Sequence, residues 1–125
     1  MKKPPKPEDR YRKHVTVTVR PPRKDLGGRY CQVDPSVFRV RYGGTVTFRV
    51  EEGCGPLDLF VPTPKGAPRP FAELRAPLVV VPRTKEGRAF TVPRGSGRRE
   101  YPYAVYCRAC NCFGKGSVPK MITGP

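Results

Sequence analysis

The stretch VFRVRYGGTVTFRV, residues 37–50, carries the clearest secondary-structure signal in the chain. Apolar and polar residues alternate in both halves, and Gly43 and Gly44 separate the two halves. Alternation with period two is typical of a strand with one buried face, and Gly-Gly between two such runs is typical of a tight hairpin. The stretch therefore predicts two antiparallel strands joined at these glycines. The residues expected to face inward are Phe38, Val40, Tyr42, Val46, Phe48 and Val50.

Short apolar or alternating runs continue on both sides of this predicted hairpin. Each is bounded by Pro or Gly, which together supply 17 and 13 residues of the chain and favour turns over helices. No helical heptad or internal repeat is visible. Seven or eight short strands separated by turns predict an all-β fold, an antiparallel β-sandwich. The further strands are expected at residues 15–19, 57–61, 78–81, 89–92, 101–107 and 118–123.

The length of 125 residues allows one domain with a single core and excludes a two-domain enzyme. Residues 1–13 are rich in Pro and Lys and have almost no apolar side chains to bury. We therefore expect a basic, Pro-rich arm at residues 1–13 and a β-sandwich domain at residues 14–125.

Lys and Arg outnumber Asp and Glu by 25 to 10, so the net charge is +15. Such an excess predicts an anionic partner: an acidic protein surface or a subunit of a larger assembly, with nucleic acid as the other possibility. Tyrosines that stack on bases are less expected, because strand tyrosines more often fill a core. The predicted partner-binding residues are Lys2, Lys3, Lys6, Arg10, Arg12 and Lys13.

No stretch approaches the roughly 20 apolar residues that a membrane helix needs, and the basic N-terminus lacks the apolar segment of a signal peptide. The sequence as written is thus expected to be cytoplasmic. If Met1 is a start introduced after a signal peptide was removed, the expected compartment is the periplasm.

The chain contains a single histidine, His14. It lies at the edge of a strand-like run beside the basic arm, and no neighbouring residue marks a catalytic site. A Ser/His/Asp or Cys/His device would need this residue. Hydrolytic chemistry is therefore not expected, and we interpret the protein as a non-enzyme with His14 on its surface.

The tail YPYAVYCRACNCFGKGSVPKM, residues 101–121, combines an aromatic-rich strand, three cysteines and a methionine. In this order it resembles the cupredoxin family, in which such a strand delivers a Cys, a loop adds a His, and a Met precedes the last strand. The resemblance extends back to residues 37–61 and implies a Greek-key β-sandwich. It also implies that Cys107 corresponds to the copper-binding thiolate and Met121 to the weak axial ligand.

The resemblance fails at the two histidines that a blue-copper site requires. Cys110 stands where the loop His is expected, and Cys54 lies near the position of the first His. Ordinary blue-copper electron transfer is therefore not expected of this chain.

Cysteines nevertheless form a pattern that could hold another metal. Three of them make a C-x-x-C-x-C segment, and thiolates are the ligands that suit Zn²⁺ and Cu(I). A disulfide and buried free thiols are the alternatives. Cys31 is expected to lie outside the cluster. The predicted metal or disulfide residues are Cys54, Cys107, Cys110 and Cys112.

Two functions from different classes remain open at this point. The first is a non-enzymatic binding or assembly module that docks on an acidic partner, with the cysteine cluster as a structural staple. The second is a metal-binding protein that carries Cu(I) or Zn²⁺ at the same cysteines, in electron transfer or metal handling.

Overall fold

The computed structural model describes residues 10–23, 30–114 and 119–125, and these form two β-sheets packed face to face. Within these described ranges the chain forms ten strands. They are β1 (Arg12–Arg20), β2 (Gln32–Asp34), β3 (Val37–Val50), β4 (Leu57–Phe60), β5 (Leu78–Val81), β6 (Arg88–Thr91), β7 (Arg99–Pro102), β8 (Ala104–Cys107), β9 (Cys112–Phe113) and β10 (Lys120–Gly124).

The larger sheet has six strands in the order β2-β1-β3-β10-β7, with β6 paired to β3. The smaller sheet has four strands in the order β5-β4-β8-β9. The predicted all-β sandwich is therefore confirmed. The larger sheet is mixed, because β3 pairs in parallel with both β1 and β10, whereas every pair in the smaller sheet is antiparallel.

Strand β3 corrects the predicted hairpin, which is wrong: residues 37–50 form one continuous strand. Its first half pairs with β10, and its second half pairs with β1 and β6. Gly43 and Gly44 form a bulge at the junction, where the β1–β3 register shifts, and Gly43 has a φ of +79°. Gly-Gly permits a bulge as readily as a turn, and the available partner strands favoured the bulge.

The core lies between the sheets and is built from the alternating apolar residues of the strands. Of the inward positions predicted in β3, all are buried except Tyr42, which is half-buried. At the centre the Phe48 ring lies 6.2, 6.0 and 5.8 Å from the rings of Phe71, Phe90 and Tyr103, centroid to centroid. Tilted and edge-on contacts of this kind add to the stabilisation that burial supplies.

Tyr103 marks the place where the chain crosses from one sheet to the other. Strand β7 pairs with β10 in the larger sheet, and β8 pairs with β4 in the smaller sheet. The buried Tyr103 lies between β7 and β8, and its hydroxyl donates a hydrogen bond to the carbonyl of Ser36 at 3.1 Å. The crossing places Cys107 at the end of β8, in the smaller sheet.

In the part of the chain that the structure describes, no helix has the length and apolar character needed to cross a membrane.

Candidate metal centre

Strands β8 and β9 bring two cysteines together at one end of the smaller sheet. Cys107 ends β8, Cys112 begins β9, and their backbones lie directly opposite one another in the antiparallel ladder. The tight turn between them passes through Asn111, whose φ of +50° lies in the left-handed region that Asn tolerates better than most residues. The Tyr106 hydroxyl donates a hydrogen bond to the Asn111 side-chain oxygen and anchors this turn.

Cys31 reaches the same place from the other sheet. It immediately precedes β2, yet its N–H donates to the Phe113 carbonyl at 2.9 Å, and its backbone forms a parallel bridge with Gly114. The fit here is tight: a Cβ atom on Gly114 would lie 2.7 Å from a methyl group of Val105 and 2.9 Å from one of Val33. Cys31 thus continues the smaller sheet beyond β9, next to Cys112.

The thiols of Cys31, Cys107 and Cys112 form a buried group that we call the thiol trio. Their sulfur atoms all lie within 4.8 Å of one another. Cys31 and Cys107 have no exposed surface, and Cys112 is 7% exposed. The Cys31 thiol also donates a hydrogen bond to the Cys112 carbonyl at 3.5 Å. The expectation that Cys31 lies outside the cluster is therefore wrong.

Cys54 arrives from the loop between β3 and β4. Its carbonyl accepts a hydrogen bond from the Ala109 N–H at 3.2 Å, so this loop packs against the β8–β9 turn. The Cys54 thiol is buried and donates to the Val19 carbonyl at 3.8 Å. These contacts place Cys54 at the end of the sandwich where the β8–β9 turn lies.

Cys110 completes the cluster from the β8–β9 turn. It differs from the other four cysteines because its side chain is only half-buried. Its thiol donates a hydrogen bond to the Gly53 carbonyl at 3.1 Å. Among the described residues, no group of sulfur atoms mutually within 4.8 Å includes Cys54 or Cys110, so these two cysteines flank the trio rather than belong to it.

The five cysteines are free thiols. Hydrogen bonds, burial and charge separate the pKa values of the four buried ones, Cys31, Cys54, Cys107 and Cys112. Hydrogen bonding from Cys107 is the main reason that the pKa of Cys31 is lowered to about 7. Burial raises the pKa of Cys54 to about 11 and that of Cys112 to about 12, where the negative charge of Cys31 adds to the effect. The hydrogen bond to Cys31, followed by burial, also raises the pKa of Cys107. Ionising more than one of these thiols therefore needs a compensating cation.

The donor set fits a soft metal ion. Sulfur atoms bound to one Zn²⁺ at ~2.3 Å in a tetrahedron lie about 3.8 Å apart. The trio sulfurs are already within 4.8 Å of one another, so small side-chain rotations suffice to close on an ion. Thiolates select Cu(I) and Zn²⁺ over hard cations.

Of the four predicted metal residues, Cys107 and Cys112 belong to the thiol trio, whereas Cys54 and Cys110 are not among the sulfur atoms that lie within 4.8 Å of one another. Sequence reasoning missed Cys31. The odd number of cysteines indicated that one thiol could not pair in a disulfide. No local sequence pattern, however, connects Cys31 with the cysteines of the tail.

Met121, compared above with the axial copper ligand, and His14, the single histidine, lie in the larger sheet. Met121 is buried in β10, opposite Phe38 and Tyr101. His14 is exposed on β1, as expected, and its Nδ1 hydrogen-bonds the Thr45 hydroxyl.

Of the predicted partner-binding residues, Arg10, Arg12 and Lys13 are exposed. Strand β1 begins at Arg12, so the last residues of the predicted arm belong to the sheet. Lys2, Lys3 and Lys6 lie outside the described residues.

Fold and site together define a β-sandwich with a cysteine cluster at one end. No family model matches the chain, and no curated protein matches it. Among solved structures, the chain is similar to a novel purple cupredoxin from Nitrosopumilus maritimus, with 17% identity and a TM-score of 0.43. The match covers 88% of this chain and 99% of that one.

Proposed function

We propose that this chain is a non-enzymatic metal-binding module that holds a soft metal ion, Cu(I) or Zn²⁺, at its cysteine cluster. The observation that carries the proposal is the buried thiol trio, whose three sulfur atoms lie within 4.8 Å of one another. Cys107 and Cys112 face each other across the β8–β9 ladder, and Cys31 reaches them from a distant segment through its bridge to Gly114. Metal handling fits this donor set better than blue-copper electron transfer, which requires two His ligands.

The number of thiols in the trio favours Cu(I) over Zn²⁺ as the bound ion. Cu(I) is coordinated by two or three thiolates, and the trio supplies three. Zn²⁺ in a closed structural site takes four ligands, so it needs a fourth thiolate from Cys54 or Cys110 in addition to the trio. Zinc would thus engage the cluster as a structural staple and tie the loop after β3 to the β8–β9 turn.

Metal analysis and thiol counting test this proposal. The protein is purified anaerobically without chelator, and its copper and zinc contents are measured. The purified protein is then titrated with Cu(I) and, separately, with Zn²⁺. We expect saturable binding of Cu(I) in wild type and weaker binding in Cys31→Ser, which leaves two thiolates of the trio. A matched control is Ser36→Ala, outside the cluster. Binding of neither metal overturns the proposal, and loss of thiols in pairs during air oxidation of the metal-free protein favours a disulfide staple instead.

We also propose that the basic end of β1 docks the module on an acidic protein surface. Arg10, Arg12 and Lys13 are exposed there. Arg10 and Arg12 line a cavity of about 170 Å³ together with Arg39, Val15, Pro35, Val37 and Phe38. Cationic side chains around an apolar floor suit an acidic peptide segment, which offers carboxylates and apolar contacts together.

Charge reversal tests the docking. Polyglutamate and duplex DNA serve as probes, and binding is measured across a series of salt concentrations. The triple variant Arg10→Glu, Arg12→Glu, Lys13→Glu should lose binding to polyglutamate and its salt dependence. A control with the same type of charge change is Arg83→Glu with Lys85→Glu, in the loop after β5. If wild type binds DNA more strongly than polyglutamate and the triple variant loses the DNA binding too, the surface is assigned to nucleic acid. If the triple variant and the control variant bind polyglutamate equally well, the docking site is overturned.

A further inference from the structure

The thiol trio is closed off from solvent, which raises the question of how a metal ion reaches it. Cys31 and Cys107 are fully buried, and Cys112 is 7% exposed. Cys54 is fully buried as well. A residue beside the trio that is more exposed than these four cysteines would give an ion from solvent its first contact.

Cys110 is the cysteine that meets this requirement. Its side chain is half-buried, whereas those of the other four cysteines are buried. It lies in the turn between the paired residues Cys107 and Cys112, and its thiol donates a hydrogen bond to the carbonyl of Gly53, the residue before Cys54. Cys110 thus lies between solvent and the two segments that carry the buried thiols.

The turn that carries Cys110 is held at both ends. Just before it, Arg108 forms a two-point ion pair with Asp58, with N···O distances of 2.7 and 3.0 Å. Just after it, Asn111 accepts the hydrogen bond from Tyr106. These anchors fix the position of the turn that carries Cys110.

We infer that Cys110 is the exchange thiol through which Cu(I) enters and leaves the buried trio of Cys31, Cys107 and Cys112. This inference rests on the proposed metal-binding function. In the first step a sulfur–copper bond forms at Cys110, the bond to the incoming carrier ligand breaks, and the Cys110 proton leaves to solvent. In the second step Cys112 binds the ion and gives up its proton, while Cys110 releases the ion and takes a proton back. Copper stays Cu(I) throughout, so no electrons are transferred.

Exchange kinetics test this role. Cu(I) is delivered as its glutathione complex under anaerobic conditions, and loading is followed by stopped-flow absorbance of the copper–thiolate bands. Release is measured by transfer to bathocuproine disulfonate. Cys110→Ser should slow both loading and release by at least about tenfold, which corresponds to about 1.4 kcal/mol in the barrier. It should still bind as much Cu(I) at equilibrium as wild type. Ala109→Ser, the neighbouring exposed position, is the control and should exchange at the wild-type rate.

The outcomes separate this inference from the proposed function. No Cu(I) binding by wild type overturns both. If Cys110→Ser binds as much Cu(I) as wild type and exchanges it at the wild-type rate, the inference alone is overturned. It is also overturned if Cys110→Ser and Cys112→Ser lose equal amounts of bound Cu(I), because Cys110 would then be a ligand rather than an exchange thiol. If Cys110→Ser fails to fold, wild type is loaded with Cu(I) and alkylated with N-ethylmaleimide. Modification at Cys110 should then slow release, and unchanged release would contradict the inference.

Discussion

Cys31 and Gly114 form a parallel bridge that joins the two sheets at the cysteine cluster. Immediately after Cys31 the chain enters β2 and pairs with β1 in the larger sheet, while Gly114 continues β9 in the smaller sheet. Through this bridge a cysteine far from the C-x-x-C-x-C segment becomes a member of the thiol trio. The predictions below test how much of the site and of the core depends on such contacts.

The first prediction concerns the close fit at this bridge. Gly114→Ala would place a methyl group within 3 Å of Val105 and Val33. Overpacking of this kind should destabilise the fold by about 1–3 kcal/mol and, by displacing Cys31, should weaken Cu(I) binding. Unfolding in urea and Cu(I) competition titrations measure the two effects. The control Gly124→Ala meets the Tyr11 ring in the larger sheet, so it should lower stability without changing Cu(I) affinity.

The second prediction concerns Cys31 itself. Because this side chain has no exposed surface, Cys31→Ser buries a hydroxyl in place of a weakly polar thiol. We expect the free energy of unfolding of the metal-free protein to fall by about 1–3 kcal/mol. Cys110→Ser is the matched control and should cost less, since that side chain is half-buried. Equal stability of Cys31→Ser and wild type would show that Cys31 does not occupy this position.

The third prediction concerns the aromatic centre of the core. Phe48 is 1% exposed and lies within about 6 Å of three other rings. Phe48→Ala should lower the free energy of unfolding by about 3–5 kcal/mol, as expected for a large cavity. Phe113 is 61% exposed, so Phe113→Ala should cost less than about 1.5 kcal/mol through its contact with Tyr106. Similar losses in the two variants, measured by urea unfolding, would contradict this packing.

The fourth prediction concerns pH and the ion pair that anchors the β8–β9 turn. Hydrogen bonding from Arg108 lowers the pKa of Asp58 below its ordinary value, although burial opposes the shift. A carboxyl with a lowered pKa stabilises the fold above its unfolded-state pKa of about 4, and this stabilisation disappears as the pH falls through the lower folded-state value. Asp58→Asn should therefore be less stable than wild type near pH 7, and the difference should shrink below about pH 4. Urea unfolding across this range measures it.

Glu86→Gln provides the control for that experiment, because it removes one negative charge from an exposed loop position. Its stability relative to wild type should change little between neutral and acid pH. If the free energies of unfolding of Asp58→Asn and wild type differ by the same amount over the whole pH range, the ion pair does not lower the pKa of the Asp58 carboxyl.

The fifth prediction concerns copper in its oxidised state. A blue-copper centre needs two histidines beside its thiolate, and the single His14 of this chain lies on β1. Adding Cu(II) to the protein should therefore not produce the intense visible absorption of such a centre. A stable, intense visible band would require a ligand set different from the thiol trio.

The local sequence was sufficient to predict the positions of most strands. Alternating runs such as Val15 to Val19 and Leu57 to Val61 correspond to β1 and β4, because a strand with one buried face must alternate in order to bury its apolar side chains. The close spacing of Cys107, Cys110 and Cys112 likewise placed these residues together, since a short turn cannot separate them.

The tertiary structure decided what the strands pair with. Gly43 and Gly44 look the same whether they form a hairpin turn or a bulge, and pairing with β1, β6 and β10 produced the bulge. The same limit applies to the cluster. Cys31 joins it only because β2 docks on β1 while Gly114 leaves no side chain in the way, and neither contact is encoded in the residues next to Cys31. Alternation and turns are local properties of the chain, whereas sheet order and the meeting of distant thiols arise only when the two sheets pack against each other.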